Sequence, residues 1–249
     1  MQVFTFSNSP FPIRDDLKAA YRDFWRKLAN AGSWWHGAER VAIAEEVRRA
    51  TRCPYCADRK NALSPYNFPG KHTAADDSPL DARAIDVVHR VVTDQTRITK
   101  TFIQENAANG LSEGQYVELV GVAVCAFSID EFCRALGLPL EPLPEPVAGE
   151  PSGYVPVGLE SETAMVAVIG FDQAGPGESG LWPAGRSANV VRALSQVPDA
   201  VRDWSEISDA QYLPLVKIID PSADTNRVLN RMQMEIVASR VSSHNECFY

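Results

Sequence analysis

Apolar positions over the first 138 residues recur at helical spacing. Residues 14–30 place Leu17, Tyr21, Phe24 and Leu28 on one stripe, and residues 38–52 group Val41, Ala44 and Val47 with Glu and Arg outside. Both patterns predict amphipathic helices. A third helix over 78–94 carries Ile85, Val88 and Val92, with Ser78 read as N-cap and Pro79 as its first residue. The longest pattern covers 111–139. It opens with Ser112 and Gln115 at capping-box spacing and stops at Gly137 and Pro139. Pro139, Pro142, Pro144, Pro146, Pro151 and Pro156 then predict an extended linker over 139–158. Beyond it, 164–171 reads as a strand or buried extended piece, 175–185 as loop, and 187–204, 209–220 and 230–246 as helices. The expected fold class is all-α. The expected domains are 1–138 and 159–249, tethered by the proline-rich linker 139–158.

Composition narrows the class without naming a chemistry. The 249 residues are 45% hydrophobic and 22% charged, an ordinary globular balance. A net charge of −8 repels phosphate backbones, so nucleic acid is not an expected partner. The N-terminal stretch "MQVFTFSNSPFPIRDD" shows no signal-peptide pattern, and the most apolar run, "LVGVAVCAF" (119–127), is short for a membrane span. The expectation is a cytoplasmic protein with no membrane partner.

In a reducing compartment a CxxC points to redox or metal chemistry rather than to a structural disulfide. The pair Cys53/Cys56 in "TRCPYCADRK" follows the 38–52 helix. If a new helix starts there, its free N–H groups and dipole stabilise a thiolate, which attacks a peroxide while the neighbouring thiol resolves the product. A closed zinc site needs four ligands. Cys125 and Cys133, eight residues apart on an apolar helix, form no second CxxC and read as core residues, so no metal and no cofactor is expected. His36, His72 and His89 have no partner legible from spacing, and His89 is expected at the border of the 78–94 face.

The C-terminal stretch "SSHNECFY" repeats part of the motif. Setting Cys247 on Cys53 aligns Val237 with Ile43, Ala238 with Ala44, Val241 with Val47 and Tyr249 with Tyr55. This helix-into-CxY pattern in both halves predicts a duplication. Glu235 stands twelve residues before Cys247, so both can share a helix face, and a carboxylate there can relay protons to the sulfur. His244, within one turn of Cys247, is a second candidate base.

These residues resemble the alkylhydroperoxidase D-like family of the carboxymuconolactone decarboxylase superfamily. That family has an all-α fold, a helix running into a CxxC, a Glu twelve residues before the first Cys and a His four residues after the second. Glu235 and Cys247 match in the second half, and Cys53 and Cys56 in the first. Val41 and Lys60 stand where the first half's Glu and His belong, so that copy is expected to keep its sulfurs and lack a proton relay. "CPYCADRKNALSP" and "LSEGQYVELVGV…SIDEFCRALGLP" further resemble a two-repeat, peroxidase-related branch.

The resemblance implies two helical repeats and a thiol-dependent peroxidase-like oxidoreductase. Its catalytic residues are Cys53, Cys56, Cys247 and Glu235, with the second position of CxxC attacking and the first resolving. A hydroperoxide substrate, a thioredoxin-like or other thiol reductant and a homo-oligomer follow as expected partners. It also implies that the coding sequence continues past Tyr249 through a selenocysteine codon, with Cys247 resolving the selenium site. The missing continuation leaves exposed apolar surface at Val237 and Val241 as an expectation. Two other readings use the same fold: a cofactor-free decarboxylase-like enzyme, and a non-catalytic oligomerisation module.

Overall fold

The computed structural model describes residues 3–64, 68–75, 77–161, 164–182, 188–218, 220, 222–245 and 247. The fold is mainly α. Among the described residues lie ten α-helices and one two-stranded sheet. None of these helices is long and apolar enough to cross a membrane. The chain divides into two compact units, residues 1–207 and 208–249.

The first unit is built on three helices: α2 (Gly37–Ala50), α4 (Ala82–Thr93) and α6 (Glu113–Ala135) each pack on the other two. Ile43, Val47, Val87, Val88, Leu119 and Ile129 are wholly buried in this core. Helix α1 (Asp15–Leu28) packs on α2 and α6, turning Leu17, Tyr21, Phe24 and Leu28 inward as their spacing predicts. The short α3 (Pro54–Asn61) packs on α4, and α5 (Lys100–Ala108) on α6.

Boundaries follow local chemistry. Ser112 and Gln115 form the capping box at the start of α6. Helix α4 starts later than its sequence suggests. Asp81, not Ser78, is the N-cap, its carboxylate accepting from Ala84 N–H at 2.7 Å, so Pro79 lies outside the helix. Helix α5 carries no clear amphipathic pattern in the sequence. Thr99 caps it at Phe102 N–H, but only Ile103 and Asn106 of its residues are buried, too few for a visible stripe. The helix expected over 187–204 is broken into α7 (Asn189–Arg192) and α8 (Pro198–Gln211). Pro198 lacks an N–H and disfavours a helical preceding residue, so it starts a helix rather than continuing one.

The proline-rich segment is extended, as expected, yet it is a packed strap rather than a free tether. Trp25 Nε1 donates to Pro142 O at 2.8 Å, Val147 N to Ala29 O at 2.8 Å and Ser152 N to Gly32 O at 3.0 Å. Prolines cannot donate, but the interspersed residues supply N–H groups for α1 and the 29–33 turn. The strap lies within the first unit, and the division of the chain falls at 207/208. After it, β1 (Leu159–Glu160) pairs antiparallel with β2 (Val168–Ile169), Leu159 opposite Ile169.

The second unit holds α9 (Leu215–Ile218) and α10 (Arg231–His244) after the last turn of α8. Asn230 and Gln233 cap α10 in a reciprocal box. Val237 and Val241 are exposed, together with Met232 and Ile236.

Candidate functional site

Helix α2 ends at Ala50, and a tight turn delivers Cys53 to the N-cap of α3, with Pro54 at the first helical position. Cys56 lies one turn further on, so both sulfurs face the same side. Helix α4 contributes Asp86 and His89, three residues apart, and α2 contributes Glu46. His72 comes from the segment between α3 and α4. Neither sulfur is in a disulfide.

The four ring nitrogens and sulfurs converge. Cys56 Sγ lies 3.2 Å from His89 Nδ1 and 3.4 Å from His72 Nδ1, and Cys53 Sγ lies 3.8 Å from His72 Nδ1. The imidazole centroids are 4.1 Å apart. Each ring turns its other nitrogen to a carboxylate. His89 Nε2 donates to Glu46 Oε2 at 3.2 Å, and His72 Nε2 to Asp86 Oδ1 at 2.8 Å. A carboxylate on Nε2 selects the Nε2–H tautomer and leaves the Nδ1 lone pair aimed at the sulfurs.

The outer residues are tied down in turn. Glu46 Oε1 accepts from Ala75 N–H at 3.2 Å, and Arg59 and Arg90 both donate to Asp86. Burial favours the neutral form of Asp86, but hydrogen bonds from His72, Arg90 and Arg59 outweigh it and hold the carboxyl well below the usual range. The cluster is packed inside the unit: Cys53 is 4% exposed, Cys56 2%, His89 0% and Glu46 1%.

The two thiols are unlike. Burial works against ionisation of Cys53, yet the N–H groups of Thr73 and Cys56 and the His72 ring bring it down to about 7. Burial pushes Cys56 up to about 12. Cys125 and Cys133 are buried core residues, as their apolar neighbours predict.

Three sequence expectations are corrected here. The first half does not lack a carboxylate–imidazole pair. It takes Glu46 rather than a residue at Val41, and His89 rather than a residue at Lys60. The count of metal donors does not stop at two, because His72 and His89 supply the third and fourth. His89, expected at the edge of its helix face, is wholly buried. The only advance signals were a His on an otherwise apolar α4 face and a Glu on the α2 face counted as outer. Spacing along the chain says nothing about partners 43 residues apart.

In the second unit Glu235 is held by Arg231 at 2.6 Å and by the Tyr212 hydroxyl. Cys247 is exposed and lies beyond the end of α10. Tyr249, on which the C-terminal motif comparison depends, lies outside the described residues. No protein-family model matches this chain, and no match was found among curated proteins or solved structures.

Proposed function

We propose that the first unit is a thiol-dependent, peroxidase-like oxidoreductase centre whose working groups are Cys53 and Cys56. The observation that carries this reading is the packing of two unbridged sulfurs against two imidazoles, each imidazole backed by a carboxylate. Cys53, at the helix start and facing the N–H groups of Thr73 and Cys56, is the attacking thiolate. This reverses the order that the family resemblance implies.

The steps balance as follows. The Cys53 thiolate attacks the distal oxygen of a hydroperoxide, the O–O bond breaks, and the alkoxide takes a proton to leave as alcohol. Cys56, losing its proton to His89 with Glu46 behind it, attacks the sulfenic sulfur. A disulfide forms and water departs. An external dithiol of the thioredoxin class then reduces the disulfide by exchange.

A duplicated helix-into-cysteine unit fits the same reading. Helix α2 ends three residues before Cys53, and α10 ends three residues before Cys247. Glu235 and Cys247 belong to that second, alkylhydroperoxidase D-like repeat in this proposal.

The test follows peroxide consumption by the full chain with a thiol reductant. Cys53→Ser and Cys56→Ser each abolish turnover, and one equivalent of peroxide yields a Cys53–Cys56 disulfide by mass spectrometry. Glu46→Gln slows turnover by roughly 10²–10⁴-fold, the usual range for losing general acid–base help. Serine variants that consume peroxide as fast as the unsubstituted chain would overturn the reading.

A further inference from the structure

We propose that Cys53, Cys56, His72 and His89 are the four ligands of a single zinc ion. The four donor atoms all lie within 4.8 Å of one another. A tetrahedral ion with Zn–S of about 2.3 Å and Zn–N of about 2.0–2.1 Å requires S···N edges of about 3.6 Å. Three of the four S···N separations, at 3.2, 3.4 and 3.8 Å, bracket that value.

Their pattern separates a common centre from a set of hydrogen-bonded pairs. A neutral imidazole has one lone pair, and one S–H satisfies it. Pairing alone would give each ring its own sulfur. Instead His72 Nδ1 approaches both sulfurs, and Cys56 Sγ approaches both rings. An ion at the middle accounts for every one of these approaches at once.

The surroundings are those of a metal centre too. A metal-bound His ordinarily donates its remote N–H to a carboxylate, which fixes the ring and raises its basicity. Both rings do this, to Glu46 and to Asp86. Two thiolates offset the ion's charge, and Arg59 and Arg90 offset Asp86. Two sulfurs and two imidazoles in tetrahedral reach select zinc over magnesium or calcium, which take oxygen ligands in larger numbers. Four protein ligands in a buried cluster leave no position for water, so the ion is structural rather than a Lewis acid. It clamps the segment carrying His72, which links α3 to α4, onto those two helices.

The zinc site uses the same sulfurs as the dithiol reading but does not rest on it, and the two are measured separately. Full-length protein purified without chelator is assayed for metal content, then stripped, kept reduced and titrated with Zn²⁺ and Co²⁺. One zinc per chain is expected. The Co²⁺ form should show thiolate-to-metal charge transfer and the intense visible bands of a tetrahedral site. His72→Asn should abolish the tetrahedral spectrum. Asp86→Asn, which keeps all four ligands, should weaken Zn²⁺ binding about 10–100-fold. His36→Asn, exposed and outside the cluster, should leave the metal content unchanged.

The unsubstituted chain needs no variant to fail the test. Reduced protein with native helical circular dichroism that takes up neither ion, or Co²⁺ bound without a sulfur charge-transfer band, would overturn the site. Zinc bound with no peroxide consumed sinks the dithiol reading alone, whereas peroxide consumed by protein that never takes up metal sinks the zinc site alone.

Discussion

At the scale of single residues, the five cysteines divide by environment. Cys53, Cys56, Cys125 and Cys133 are buried, and Cys247 is exposed. A thiol reagent reaches a sulfur only as a surface thiolate or through an opening of the structure. Native reduced protein should therefore label rapidly at Cys247, and at Cys125 and Cys133 only on unfolding. Peptide mapping of labelled protein checks this, and rapid labelling of Cys125 or Cys133 would contradict it. The residue scale is also where the sequence was hardest to read. Cys53 and Cys56 announce themselves by spacing, because a helix turn brings i and i+3 together. Glu46, His72, Asp86 and His89 reach the site from different segments, and no local period marks them.

Elements are joined by ion pairs as well as by apolar faces. Arg48 of α2 clasps Asp130 of α6 with two hydrogen bonds at 2.8 and 2.9 Å, and donates a third to Glu141 O in the strap. The Asp130 side chain is almost wholly buried. Removing one partner of such a pair leaves a charge without compensation, at a cost of roughly 3–5 kcal/mol. Asp130→Ala should lower the denaturation free energy by about that amount, measured by urea titration with an unchanged slope. A loss below about 1 kcal/mol would mean that Arg48 finds water or another acceptor. Apolar spacing located α1, α2 and α4 by their stripes, and a capping box marked the start of α6. Spacing missed α5, whose inward face is too small, and it ran through the break before Pro198 because the flanking apolar residues kept helical period.

For the molecule as a whole, metal binding and stability are linked. An ion that binds the folded chain alone stabilises it by about 2.7 kcal/mol when free zinc is a hundred times its dissociation constant. For a chain of this size that corresponds to a rise of roughly 5–10 °C in Tm. Calorimetry of stripped and zinc-loaded protein should show that upward shift, and coincident transitions would argue that the ion does not hold the fold. The proline-rich strap belongs to this scale as well. Its extended backbone is written in its prolines, but its place beside α1 and the 29–33 turn depends on hydrogen bonds to residues more than 100 positions away.

The sequence by itself determined that this chain is mainly helical, that its longest helix opens on the Ser112–Gln115 box, and that two cysteines share a helix start. Those properties depend on neighbours within one or two turns. Only the tertiary structure decided that a Glu from α2, a His and an Asp from α4, and a His from the segment between α3 and α4 close around those sulfurs. That closure comes from burying the faces of α2, α4 and α6 against one another, an outcome of packing between segments far apart in the chain.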